Sequence, residues 1–104
     1  MKATIKAISY YLPEEKLDNA ILNNLFPEWS VDKISSKTGI FQRHISAGDE
    51  FVSDMAVKAS KKLFEEHNIS PAQIDFILLC TQSPDYFLPT TACLVQDALG
   101  IPTT

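Results

Sequence analysis

Glycine is scarce in this chain of 104 residues, which has only Gly39, Gly48 and Gly100. They stand too far apart for a dinucleotide fingerprint or a phosphate loop, both of which need clustered glycines to bring backbone N–H groups against a phosphate. Histidine is scarcer still. His44 and His67 show no HxxxH or HExxH spacing, which excludes a zinc hydrolase of that type, and each reads as a surface or helix-end residue. The two cysteines, Cys80 and Cys93, lie in apolar runs without CxxC spacing. They read as reduced, buried thiols acting as small hydrophobes, with no disulfide and no metal site. Pairing either with His44 as a nucleophile is formally open, but an apolar run is a poor place for a thiolate, and the reading goes against it. Positive charge is also short, with 9 Lys and Arg against 13 Asp and Glu. That balance argues against nucleic acid or an anionic membrane as partner. Lys58, Lys61 and Lys62 are followed by Glu65 and Glu66, the pattern of a solvated helix face. No apolar run approaches membrane-spanning length, and the N-terminal MKATIKAISYYLPEEK has no apolar signal core. A cytoplasmic location is the expectation.

With 45% apolar and 21% charged residues, the chain has the composition of one ordinary globular domain. Its organising stretch runs from Ile74 to Leu99. Phe76 to Cys80 is apolar at every position, the signature of a strand covered on both faces, and after a polar and aromatic loop, Thr81 to Thr90, comes a helix from Thr91 to Leu99. Ala92, Cys93, Leu94, Val95, Ala98 and Leu99 make that helix apolar nearly all round, so burial is expected.

Earlier in the chain, residues 3 to 12 carry apolar side chains on both parities and predict a strand ending at Pro13. Asp18 or Asn19 can cap a short helix to Leu25, with Ile21, Leu22 and Leu25 or Phe26 as contacts, stopped by Pro27. Ser30 caps a second, with Val31 and Ile34 inward and Gly39 left-handed near its end. Ile40 to Ile45 predicts a brief extended segment. The clearest pattern runs from Phe51 to His67, where Val52, Met55, Ala56, Ala59 and Leu63 share one helical face and Asn68 can close the helix. Ser70-Pro71-Ala72-Gln73 then has the form of a capping box with proline at the first helical position. The expected fold class is α/β, with an incomplete mixed sheet and a buried helix. Two strands and a short extended piece are too little sheet to cover the last helix, so the C-terminus reads as unfinished.

Several stretches together resemble the N-terminal part of the β-ketoacyl-acyl carrier protein synthase III family of the thiolase superfamily. They are Ile8-Ser9-Tyr10-Tyr11-Leu12-Pro13, Lys37-Thr38-Gly39-Ile40 with Arg43-His44-Ile45, Ser83-Pro84-Asp85-Tyr86 with Leu88 to Gln96, and Leu99-Gly100-Ile101. Their order, spacing and near-complete coverage carry the resemblance. It implies that residues 1–104 are an N-terminal fragment of the first thiolase-like domain, inactive alone. The parent would join an acyl thioester to malonyl-carrier protein by decarboxylative condensation, as a cytoplasmic homodimer without metal or prosthetic group. The catalytic cysteine would lie shortly past Thr104 and the histidine and asparagine in a second domain, so no catalytic residue falls in this chain, and Cys93 is a structural position.

The resemblance places substrate-binding positions at Lys37, Trp29 and Leu88. Lys37 stands where the family has an arginine before Thr-Gly-Ile, and Trp29 lies upstream of the family's adenine-stacking tryptophan, whose spacing falls on Lys33. Lysine keeps the charge for a phosphate but loses the planar fork. The donor could thus be acyl-CoA or an acyl-carrier protein, and departures at Lys37 and Phe41 leave a specialised acyl pathway open. Leu88 corresponds to the residue that forms the end wall of the partner's acyl pocket, so Tyr86, Phe87, Leu88 and Pro89 are expected at a dimer interface. The competing reading is a complete, non-catalytic module that binds an acyl carrier or another protein through the same loop.

Overall fold

A computed structural model describes residues 1–103, and the chain divides into two compact units. The first to close in sequence, Leu12–Asp49, is continuous. Its two strands, β1 (Glu15–Asp18) and β2 (Gln42–Ile45), pair antiparallel with Glu15 opposite Ile45 and Asp18 opposite Gln42. Two short helices, α1 (Asn19–Leu25) and α2 (Val31–Thr38), pack together between them in sequence. Each begins where a side-chain oxygen meets an unpaired N–H of the first turn. Asp18 Oδ1 accepts from Ile21 N–H at 2.9 Å, and Ser30 Oγ accepts from Lys33 N–H at 3.2 Å. Gly39 ends α2 at φ 68°, the left-handed conformation that a Cβ disfavours.

The polar centre of this unit is Asn19, only 3% exposed. Its Nδ2 donates to the Ile40 carbonyl at 2.7 Å and to Ser35 Oγ at 3.1 Å, while Oδ1 accepts from Arg43 Nη1 at 3.2 Å. One side chain therefore ties α1, α2 and the start of β2. Ile34 is buried as expected, whereas Val31, Ile21, Leu25 and Phe26 are exposed, because helices of two turns each bury only one narrow stripe here. His44 is not a surface residue: it is half-buried, with Nδ1 at 2.5 Å from the Pro13 carbonyl.

The second unit joins Met1–Tyr11 to the chain from Glu50 onward. Its main element is α3 (Val52–His67), with Val52, Met55, Ala56, Ala59 and Leu63 half-buried along one face and Asn68 left-handed at φ 51° at its end. Residues 70–73 form the expected capped turn. Ser70 Oγ accepts from Ala72 N–H at 3.3 Å, and Gln73 Oε1 accepts from Ser70 N–H at 2.8 Å. The last helix, α4 (Thr91–Leu99), packs on α3 and ends at a left-handed Gly100.

Two expectations fail here in the same way. Neither residues 3–12 nor Phe76–Cys80 form a strand; among the described residues no ladder partner lies beside either run. Yet their burial alternates with the period of two that a strand has. Ala7, Ser9 and Tyr11 are half-buried and Ile8, Tyr10 and Leu12 exposed; Ile77 and Leu79 are half-buried and Phe76, Leu78 and Cys80 exposed. The apolar side chains on the second parity stand bare, with Ile8 74%, Phe76 80% and Leu78 87% exposed. The α4 helix is likewise not fully covered, since only Thr91 and Val95 are buried in it. Both cysteines are free thiols but exposed rather than buried, Cys80 on the bare side of its run and Cys93 on the open side of α4. No helix among the described residues is long and apolar enough to cross a membrane.

Candidate functional site

The loop from Thr81 to Thr90 carries Tyr86, Phe87, Leu88 and Pro89, and all four are exposed. Leu88 is 82% exposed and precedes a cis peptide bond to Pro89. Tyr86 and Phe87 line an open cleft of about 250 Å³ together with Leu79, Thr90, Thr91 and Ala92. Thr91 Oγ1 is buried at the first turn of α4 with no hydrogen-bond partner among the described residues, and Thr90 places its hydroxyl 3.3 Å from Cys93 Sγ. The apolar half of the loop is thus displayed, not packed. A single residue of the loop turns inward. Asp85 alone in residues 81–90 is half-buried, and its carboxylate accepts from both Ser53 N–H, at 3.1 Å, and Ser53 Oγ.

Elsewhere in the same unit Lys58 donates to Glu50 and, at 3.2 Å, to Tyr11 Oη, while Tyr11 Oη donates to Glu50 at 2.5 Å. Its ammonium also lies 4.8 Å from the Tyr11 ring centroid. The Glu50 carboxylate, and after it the Tyr11 hydroxyl, hold the Lys58 pKa well above the ordinary lysine value. One turn further, Lys62 sits 4.6 Å over the Tyr10 ring and 3.7 Å from Glu66. The expected solvated lysine face is therefore partly engaged, in holding the N-terminal stretch.

In the Leu12–Asp49 unit, Trp29 lines an apolar cleft of about 280 Å³ with Leu22, Phe26 and Ile34. The turn before α2 sets its position: Trp29 N–H donates to the Phe26 carbonyl at 2.9 Å, and its own carbonyl accepts from Asn23 Nδ2 at 2.9 Å. Lys33 places its ammonium 4.3 Å from the indole centroid, so Trp29 and Lys33 form one stacked pair. Lys37 is exposed in the last turn of α2. The structure thus puts Trp29 and Lys37 in one unit and Leu88 with its neighbours in the other. Among the described residues no three His, Cys, Asp or Glu side chains gather where they could hold a metal ion. The structural parts played by Asn19, Asp85 and the Tyr11–Glu50–Lys58 group were not legible in the sequence, where Asn19 stood only as an alternative helix cap and Lys58 as part of a solvated face. Apart from the Lys58–Glu50 contact, eight residues apart, they act through partners at least 16 residues away, and the pattern carries no local mark of them.

No protein-family model matches the chain. Individual proteins do. A β-ketoacyl-[acyl-carrier-protein] synthase III of Sulfurovum sp. (strain NBC37-1) is 43% identical over 103 residues, which is 95% of this chain and 29% of that protein. A crystal structure of a 3-oxoacyl-(acyl-carrier-protein) synthase III superposes with a TM-score of 0.84 at 47% identity, covering 94% of this chain and 29% of the other. The corresponding synthase from Aquifex aeolicus VF5 gives 0.86 at 36% identity, over 94% and 31%. The chain spans less than a third of the length of these relatives. In sequence and in fold, therefore, it corresponds to the N-terminal part of a 3-oxoacyl-[acyl-carrier-protein] synthase III, with the thiolase-like fold of those proteins.

Proposed function

We propose that this chain is the N-terminal portion of a condensing enzyme that joins an acyl thioester to malonyl-acyl carrier protein in fatty-acid or related acyl biosynthesis. The observation that carries the reading is the match to synthase III proteins over about nineteen-twentieths of the chain, at an identity above 40% and with a common fold. In the reaction a cysteine thiolate takes the acyl group and releases the donor thiol. Loss of carbon dioxide from the malonyl thioester then leaves an enolate carbon that attacks the acyl-enzyme and frees the thiolate. The groups that perform those steps belong to the remainder of the parent protein.

This chain's share is binding. Leu88, displayed on its loop, supplies the end of the acyl pocket across a homodimer interface that Tyr86, Phe87 and Pro89 help to form. Lys37 offers a point charge to a donor phosphate, and Trp29 offers an indole face opposite the one that Lys33 covers. The donor is acyl-CoA or an acyl-carrier protein, the site needs no metal or prosthetic group, and the protein works in the cytoplasm. The test is an assay of the whole gene product with acyl-CoA or acyl-carrier donors and malonyl-carrier protein. The expected result is a 3-oxoacyl thioester with one carbon dioxide released per turnover. Absence of condensation with every donor overturns the reading. Leu88→Ala should move the preference toward longer acyl chains by about 10- to 200-fold per added methylene at most, the usual range of an apolar pocket.

A further inference from the structure

The α3 helix starts badly on its own account. Its N-cap is Phe51, whose side chain has no oxygen to accept an N–H of the first turn, although Asp54 returns to accept from Phe51 N–H at 2.9 Å. The acceptor that an N-cap side chain would normally give to the second residue of a helix comes instead from Asp85, 32 residues later. Asp85 takes both the Ser53 N–H and the Ser53 hydroxyl, so the contact is two-pronged and fixes the carboxylate plane as well as its place. A carboxylate at this position also faces the positive end of the helix dipole. Asp85 is the inward residue of an otherwise exposed loop and is followed directly by Tyr86, Phe87 and Leu88.

We propose that Asp85 is the positioning residue of this loop: by capping α3 through Ser53 it sets the height at which Leu88 is presented, and so tunes acyl-chain selectivity. The anchoring part stands on the geometry above. The selectivity part rests on the condensing-enzyme reading. Aspartate suits the place because two short prongs on one carboxylate match the N–H and O–H of a single serine, and glutamate would carry the loop outward by a methylene.

The experiment uses the whole gene product and four variants, D85A, D85N, S53A and D85A/S53A, with amide hydrogen exchange and acyl-donor competition read on each. In D85A, exchange of the amides of Ser53 and of Tyr86 to Leu88 should rise about tenfold or more, while that of α2 stays unchanged. In S53A, which keeps the N–H prong, and in D85N, which keeps an acceptor for it, the rise should be smaller, about two- to threefold. The double variant should exchange no faster than D85A. The ratio of kcat/KM for two donors differing by two carbons should shift about threefold or more in D85A. If D85A does not fold, S53A and D85N carry the same comparison. Unchanged loop exchange in the variants overturns the proposal, as does a loosened loop with an unaltered selectivity ratio. If the parent protein condenses no donor, the functional reading falls, and the exchange arm decides the anchoring by itself.

Discussion

Replacing Asn19 by alanine tests how much of the Leu12–Asp49 unit hangs on one buried amide. The side chain makes three hydrogen bonds, to Ile40 O, Ser35 Oγ and Arg43 Nη1. They are not equal. Ser35 Oγ also donates to the Val31 carbonyl at 2.9 Å, so its hydroxyl keeps a partner and the loss there is about 0.5 kcal/mol. The 2.7 Å bond to Ile40 O is a neutral bond worth about 1 kcal/mol, more if water cannot reach the freed carbonyl. The Arg43 bond is charge-assisted but its guanidinium is only half-buried, which limits it to about 1.5 kcal/mol. The sum is about 3 kcal/mol, comparable with the whole stability expected of so small a unit. The assay is urea unfolding followed by fluorescence of Trp29, the single tryptophan of the chain, which lies in this unit. With a slope of about 1 kcal/mol/M the midpoint should fall by 2 M or more, and the transition should all but vanish. Asn19→Asp should do no better, since a carboxylate improves the arginine contact but repels the Ile40 carbonyl. A midpoint shift corresponding to less than about 0.5 kcal/mol would refute the reasoning, because that is the size of an ordinary surface substitution.

Gly39→Ala should destabilise by about 1 kcal/mol although nothing lies within 4 Å of the added Cβ, because the cost is backbone conformation and not a clash; Gly39→Asn should recover part of it in thermal unfolding. The Lys58 pKa is raised in the folded chain, so the stability it lends is complete below the ordinary lysine pKa and is lost only as pH climbs through the raised value. Lys58→Met should therefore lower stability equally at every pH across the neutral range, and less in high salt; a difference that changes between mildly acid and mildly alkaline buffer contradicts the assignment. Val95→Ala, at a site 3% exposed, should cost about 2 kcal/mol in thermal unfolding, whereas Leu78→Ser, at a site 87% exposed, should cost under about 0.5 kcal/mol.

What could be read in the sequence was what adjacent residues decide among themselves. The α3 face, the Ser70–Gln73 capping box, the Asp18 and Ser30 caps and the left-handed closure at Gly39 all depend on residues near one another in sequence, and all are present. The pairing of β1 with β2 was not legible: Glu15 and Lys16 have no apolar alternation, and the ladder is drawn together by the Asn19 network beside it. The two apolar runs show where pattern and structure part. Ile8 and Leu78 were rightly marked as apolar positions on a second face, but a strand exists only when a neighbour accepts its ladder, and pattern cannot supply the neighbour. For the site, Leu88 and its aromatic neighbours were named through the family resemblance. Their anchor was not, because nothing about an aspartate in a loop announces a serine 32 residues earlier.

The division of the chain into units has a consequence in time. Met1–Tyr11 belongs with residues that begin at Glu50, so a ribosome must add 39 more residues before the first partner of that stretch is made. At about 5 to 20 residues per second that is a delay of roughly 2 to 8 seconds, far longer than a helix or a small hairpin needs to form. The Leu12–Asp49 unit is contiguous and is completed only as the interval ends. The N-terminal stretch, with Ile5, Ile8 and Tyr10 uncovered, spends it waiting, and its apolar character makes the nascent chain a client for whatever shields hydrophobic segments at the exit tunnel.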